Sequence, residues 1–171
     1  MIPENIIQYL EGHDIPFGRR PHLRAITAQA LAASLHVSGF QVAKSVIFRS
    51  DDSLWICVVS APDTVNLDRL AEVTGAKNLR LAEESEFAPL FPECEVGAEP
   101  PFGRLYGVPV VVDEHLRHAE RLLFRAGSHA EALEMRFADF ENLEAPFTGL
   151  IVHDRQREQL RIENDSFSLQ P

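Results

Sequence analysis

Apolar residues fall into two periods along this chain, and the places where the period changes mark its elements. Ile6, Ile7 and Leu10 share one face of a helix over Glu4 to Glu11, with Pro3 suited to its first turn and Gly12 to its end. An extended segment is expected to begin at Phe17 to Arg19. Thr27 is an N-cap for the helix-forming AQALAASLH, beyond which lies Gly39. The stretches GFQVAKSVIF and LWICVVS are rich in β-branched and aromatic residues and flank the turn SDDS, so Ala43 to Ser60 reads as a hairpin. A helix over NLDRLAEVTG starts near Asn66 or Leu67 and stops at Gly75.

Further along, NLRLA is a weak short strand, and ESEFAPLF is one or two helical turns ended by Pro89 and Pro92. The glycine- and proline-rich VGAEPPFGRLYG reads as irregular, VPVVVDE, RLLFRAG and ALEMRF as strands, and ADFENLEA as a closing helical turn or two. Short helices interleaved with hairpin-linked strands predict an α+β fold, a curved mixed, largely antiparallel sheet with short flanking helices. One domain over 1–152 is expected, followed by a polar tail over 153–171.

Composition narrows the classes. With 45% apolar and 25% charged residues the chain is globular in character, and its longest apolar runs fall well below the roughly 20 residues of a membrane span. The opening lacks the basic and apolar segments of an export signal, so a cytoplasmic protein is expected. Cys57 and Cys94 have neither disulfide-framework nor zinc spacing and read as reduced thiols. A net charge of −10 opposes broad binding to nucleic acid. FGRRPHLR nonetheless supplies Arg19, Arg20, His22 and Arg24 without an acid, either a solvated loop or a local basic patch.

Phosphate-loop, GxSxG and HExxH signatures are missing, and three features carry the candidate chemistry. Lys44, inside an apolar strand, either snorkels to solvent or points into a cleft and holds an anion. Gly97 to Pro101, GAEPP, is a simple connection or a stiffened loop aiming N–H groups at a carbonyl or water. His129 is a polar turn residue or orients a substrate. In DEHLRH, His115 and His118 at helical spacing near two acids would suit a metal, but a solvated helix face is the expectation, with no metal and no cofactor.

The order TAQALAASLHVSGFQVAKSVIF, GAEPPFGRLYGVPVVVD, FRAGSHAEALEMRFADF resembles the YbaK/prolyl-tRNA synthetase-associated family of editing domains over about residues 20–143. The resemblance implies a free-standing deacylase acting in trans on mischarged aminoacyl-tRNA, with the tRNA acceptor end as partner and an aminoacyl-tRNA synthetase as a further one. It places Lys44, Gly97, Pro101 and His129 in the catalytic pocket, and Ser45, Ala98, Glu99, Pro100, Gly127 and Ser128 against the substrate. Arg19, Arg20, His22 and Arg24 are then expected to meet tRNA. Ser45 follows the lysine where alanine-editing members carry asparagine, which points to another small amino acid. The competing expectation is a non-catalytic module of the same fold that binds aminoacyl-tRNA or a synthetase; a hydrolase of small esters or nucleotides is a third.

Overall fold

A computed structural model describes residues 1–154, so the polar tail expected over 153–171 lies outside the described residues from 155 onward. Helix α1, Glu4–Gly12, starts behind Pro3 and buries Ile6, Ile7 and Leu10. A helix this short is marginal alone. Burying each of these three side chains contributes about 1.5–3 kcal/mol, which fixes it on the sheet. After β1, Gly18–Pro21, Thr27 caps α2, Ala28–Ser34, by accepting from the Ala30 N–H. The expected hairpin follows as β2, Val42–Arg49, and β3, Leu54–Ser60, in a register that sets Lys44 opposite Val59. Asn66 caps α3, Leu67–Thr74, and Gly75 ends it in the left-handed conformation.

The pair Arg80–Leu81 forms β4, and α4, Glu84–Phe87, runs on into a 3₁₀ turn. Pro89 sits inside that turn, Ala88–Leu90, and does not end the segment, because a proline early in a turn forfeits only an N–H that has no partner there. The stretch expected to be irregular contains a one-turn helix α5, Gly103–Tyr106, closed by left-handed Gly107. Then come β5, Val110–Asp113, a 3₁₀ turn Glu114–His118, β6, Arg121–Arg125, β7, Glu131–Arg136, and α6, Phe137–Glu144. A last strand, β8, Phe147–Gly149, escaped the sequence reading because three residues carry no alternation.

The eight strands form one mixed, largely antiparallel sheet with short helices on both faces, in the order β1-β7-β6-β2-β3-β5-β8, with β4 also paired to β2. Parallel pairings join β2 to β6, β3 to β5 and β5 to β8. Alternation divides the core. One face carries Ala43, Ile47, Val58, Phe124 and Leu133 under α1 and α6. The other carries two separate clusters, Val42, Leu123 and Ala132 with Leu31 of α2, and Phe48, Cys57, Val59 and Val111 with Leu70 of α3. Lys44 stands on this second face, between the clusters.

Candidate active site

Lys44 is half-buried, with the apolar Val42 on one side and Val46 on the other along its face of β2. Burial lowers the pKa of its ammonium, an effect that the charge of Asp63 partly offsets. Lys44 makes no hydrogen bond and no ion pair among the described residues. One step beyond the Val42–Leu123 and Ala43–Phe124 pairs, Arg125 stands beside it on the same face. Arg125 is likewise desolvated, and burial lowers its pKa against the raising effect of Glu99. The sequence reading missed Arg125. It ends a strand whose Leu122 and Phe124 face the main core, so locally it looks like a surface arginine at a strand end.

Three loops meet beyond Arg125. Its Nη1 donates to the Ile26 carbonyl and faces His129 Nδ1 at 3.3 Å. His129 is buried, and its Nε2 faces the Val96 carbonyl at 2.8 Å. A carbonyl only accepts and a guanidinium only donates, so the geometry assigns the neutral ring with its proton on Nε2. The His129 N–H donates to Glu95 Oε2 at 2.6 Å, and this bond is the chief cause of a lowered Glu95 pKa, with Arg24 at 2.9 Å adding to it. Gly127 N–H donates to the Ala98 carbonyl at 2.6 Å and Glu95 N–H to the Gly127 carbonyl at 3.0 Å. These bonds lace residues 95–98 to 127–129.

Two glycines make that lacing feasible. Gly97 has φ +84°, and a Cβ there would touch His129 Cε1 at 3.6 Å. Gly127 has φ +83°, and a Cβ there would fall 2.6 Å from Pro3 Cδ. Both need the left-handed backbone that glycine adopts without strain, and the second also needs the missing side chain.

The loop offers fewer free amides than its sequence suggests. Pro100 and Pro101 have none, Gly97 N–H donates to Glu99 Oε1 at 2.9 Å, and Ala98 N–H to the Glu95 carbonyl at 3.0 Å. Among the described residues only the Glu99 N–H of this loop has no acceptor. Gly97 is exposed, whereas Ala98, Glu99, Pro100 and Pro101 are buried. Ser128 is also buried, and its hydroxyl accepts from the Ala130 N–H at 3.1 Å and from the Met1 ammonium at 3.3 Å.

Strand alternation turns the Ser45 side chain to the opposite face from Lys44. Its backbone lies in a gap: β6 pairs with Val42 and Ala43, and β4 with Phe48 and Arg49, leaving Lys44 to Val46 without a strand partner on that edge. The basic stretch is not a free cationic patch. Arg19 meets Glu131 at 3.6 Å, Arg20 meets Glu134 at 2.7 Å and Arg24 meets Glu95, acids that come from other parts of the chain. Neighbouring strand positions also put Arg19 and Arg20 on opposite faces. His22 turns its Nε2 inward, buried without a partner.

The expected solvated run Asp113 to His118 is solvated only in part. Asp113 is fully buried and accepts from Ile151 N–H, His115 N–H and the His115 ring at 2.7 Å. Asp63, Asp113 and His115 place ligand atoms within 4.8 Å of one another, and His118 takes no part. A divalent cation there would have to displace the proton that His115 Nδ1 shares with Asp113. Cys57 and Cys94 are poor nucleophiles, since burial drives both thiols up, Cys94 to about 11.

The sequence model of the aminoacyl-tRNA editing domain matches residues 22–143. No protein with a curated description matches the chain. The fold is similar to that of the hypothetical protein APE2540, with TM-score 0.78, 19% identity, and coverage of 88% of this chain and 100% of that one. It is also similar to a candidate trans-editing enzyme for prolyl-tRNA synthetase, with TM-score 0.75, 19% identity, and coverage of 88% and 96%. A candidate signal transduction protein from Marinobacter aquaeolei VT8 gives TM-score 0.70 at 21% identity, and the match covers 90% of this chain but 31% of that one. Among the described residues, no helix is long and apolar enough to cross a membrane.

Proposed function

Because the chain belongs to the aminoacyl-tRNA editing domain family, we propose that it is a deacylase acting in trans, hydrolysing the ester between a mischarged small amino acid and the terminal ribose of tRNA. The observation that carries this reading is Lys44. A half-buried ammonium pressed by burial toward neutrality, with neither hydrogen bond nor ion pair among the described residues, costs stability in the free protein. An anionic part of the acceptor end would supply what it lacks.

The remaining roles follow from what each group has free. The Glu99 N–H is the loop amide available to polarise the ester carbonyl or orient water. Water adds to that carbonyl, and the ribose oxygen departs and takes up a proton, releasing the free amino acid and uncharged tRNA. Both ring nitrogens of His129 are engaged, so it acts as a positioning residue that holds the 95–98 loop and takes no proton. The ester is labile enough for positioning and electrostatics to suffice. Cysteine, serine and threonine are the small amino acids to test first. An aminoacyl-tRNA synthetase is a further partner to test, since a structure of similar fold is described as a candidate trans-editing enzyme for prolyl-tRNA synthetase.

The test is turnover of a panel of mischarged tRNAs. Release of at least one small amino acid well above the spontaneous rate is expected. Tight binding of the panel without turnover would replace this reading with that of a binding module.

A further inference from the structure

Arg125 has an unused edge. Seven other arginines, Arg19, Arg20, Arg24, Arg80, Arg117, Arg121 and Arg136, each meet a carboxylate. Arg125 does not. Its Nη1 is committed to Ile26 and His129, while its Nε and Nη2 have no acceptor among the described residues. Those two nitrogens carry the parallel N–H groups that fit two oxygens of one oxyanion. The Nη1 contacts fix the plane of the group, so the free edge is held in place before any ligand arrives.

Lys44 lies on the adjacent parallel strand, one residue past the last paired position, with its side chain on the same face. Both cations are partly withdrawn from water, and that desolvation is the chief influence on each. Asp63 lies toward Lys44 and Glu99 toward Arg125, each partly offsetting the effect of burial. An oxyanion held by both would offset the cost of that desolvation.

We propose that Arg125 and Lys44 together form one oxyanion site that takes a phosphate of the substrate's terminal nucleotide, with Lys44 as a point charge and the Nε and Nη2 edge of Arg125 bidentate. The proposal rests on the deacylase reading for the identity of the nucleotide, but not for the existence of the site. The same donors would accept a carboxylate, as of an acidic aminoacyl side chain, so the probes must separate the two.

The experiment is calorimetric titration of the full chain with adenosine 5′-monophosphate, adenosine and L-glutamate. The monophosphate should bind at least about tenfold more tightly than adenosine, as a charge-assisted bidentate contact warrants. Arg125→Gln should erase most of that advantage and leave adenosine affinity unchanged. Arg125→Lys keeps the charge without the fork and should lose several-fold while remaining folded by circular dichroism, which decides the matter if Arg125→Gln does not fold. Equal affinity for monophosphate and adenosine, no monophosphate binding at millimolar concentration, or indifference to Arg125→Lys and Arg125→Gln overturns the site. Glutamate binding more tightly than the monophosphate overturns the phosphate assignment. Turnover of mischarged tRNA without a monophosphate preference defeats this inference alone, whereas the preference without turnover defeats the deacylase reading and leaves the site standing.

Discussion

Gly97→Ala and Gly127→Ala perturb the same backbone conformation in two different surroundings. Both glycines lie near φ +84° and +83°, where an L-residue costs about 1–2 kcal/mol. At Gly97 the new methyl would meet His129 Cε1 at 3.6 Å, an ordinary contact that adds little. At Gly127 it would lie 2.6 Å and 2.7 Å from Pro3 Cδ and Cγ and 3.2 Å from Cys94 Sγ. Pro3 is a stiff ring at the start of α1, so the helix or the turn must shift, and overpacking of this kind costs about 1–3 kcal/mol more. The expected losses are therefore about 1–2 kcal/mol for Gly97→Ala and about 2–5 kcal/mol for Gly127→Ala. Urea unfolding with matched m-values reads both. Equal losses, or a Gly127→Ala loss below about 1 kcal/mol, would show that α1 does not brace the 127–129 turn as described.

Other outcomes follow from the charges. Burial disfavours the Lys44 ammonium, so between its lowered pKa and the ordinary 10.5 the folded protein binds fewer protons than the unfolded chain, and this residue's contribution to stability rises with pH. Anion binding should run the other way: background-corrected deacylation should fall on an alkaline limb below the ordinary lysine range, and Lys44→Arg should remove that limb. Glu95 behaves oppositely. Its pKa is lowered chiefly by the His129 N–H, so the bond is present above the ordinary 4.5 and lost as pH falls through the lowered value, which hydrogen exchange at His129 should register as acid loosening. Catalysis should survive exhaustive chelation and a Cys57→Ser, Cys94→Ser double variant. A chelation loss restored by a divalent ion would give the Asp63, Asp113, His115 group a role in the reaction. Arg19→Ala and Arg20→Ala should each lower the salt slope of tRNA binding by less than the full unit of a free phosphate contact, because Glu131 and Glu134 already occupy these arginines.

Lys44 was legible in the sequence because one charge interrupts an apolar strand, a local anomaly that a period-two pattern exposes. Gly97, Gly127 and His129 were legible through motif order, and the structure draws them together by hydrogen bonds spanning residues 95–98 and 127–129. Arg125 was not, since what distinguishes it is a parallel pairing with a strand some eighty residues earlier, a contact that no window of sequence contains. For the same reason FGRRPHLR looked freely basic: its acidic partners, Glu95, Glu131 and Glu134, are supplied by distant segments. Ser45 illustrates the opposite error, because adjacency in sequence suggests a shared site with Lys44, whereas the two-residue period of a strand parts their side chains.

Single-turnover deacylation by Lys44→Met at subsaturating substrate, set beside the wild type with the best of the mischarged tRNAs, tests most directly the claim that a half-buried ammonium holds the substrate's anionic end. Methionine keeps the apolar stem and removes the charge, so stability should stay within about 0.5 kcal/mol of wild type or exceed it. At substrate well below saturation the rate should drop at least about tenfold, as when one charge-assisted contact to the substrate is lost. A Lys44→Met protein that deacylates like wild type would contradict the account.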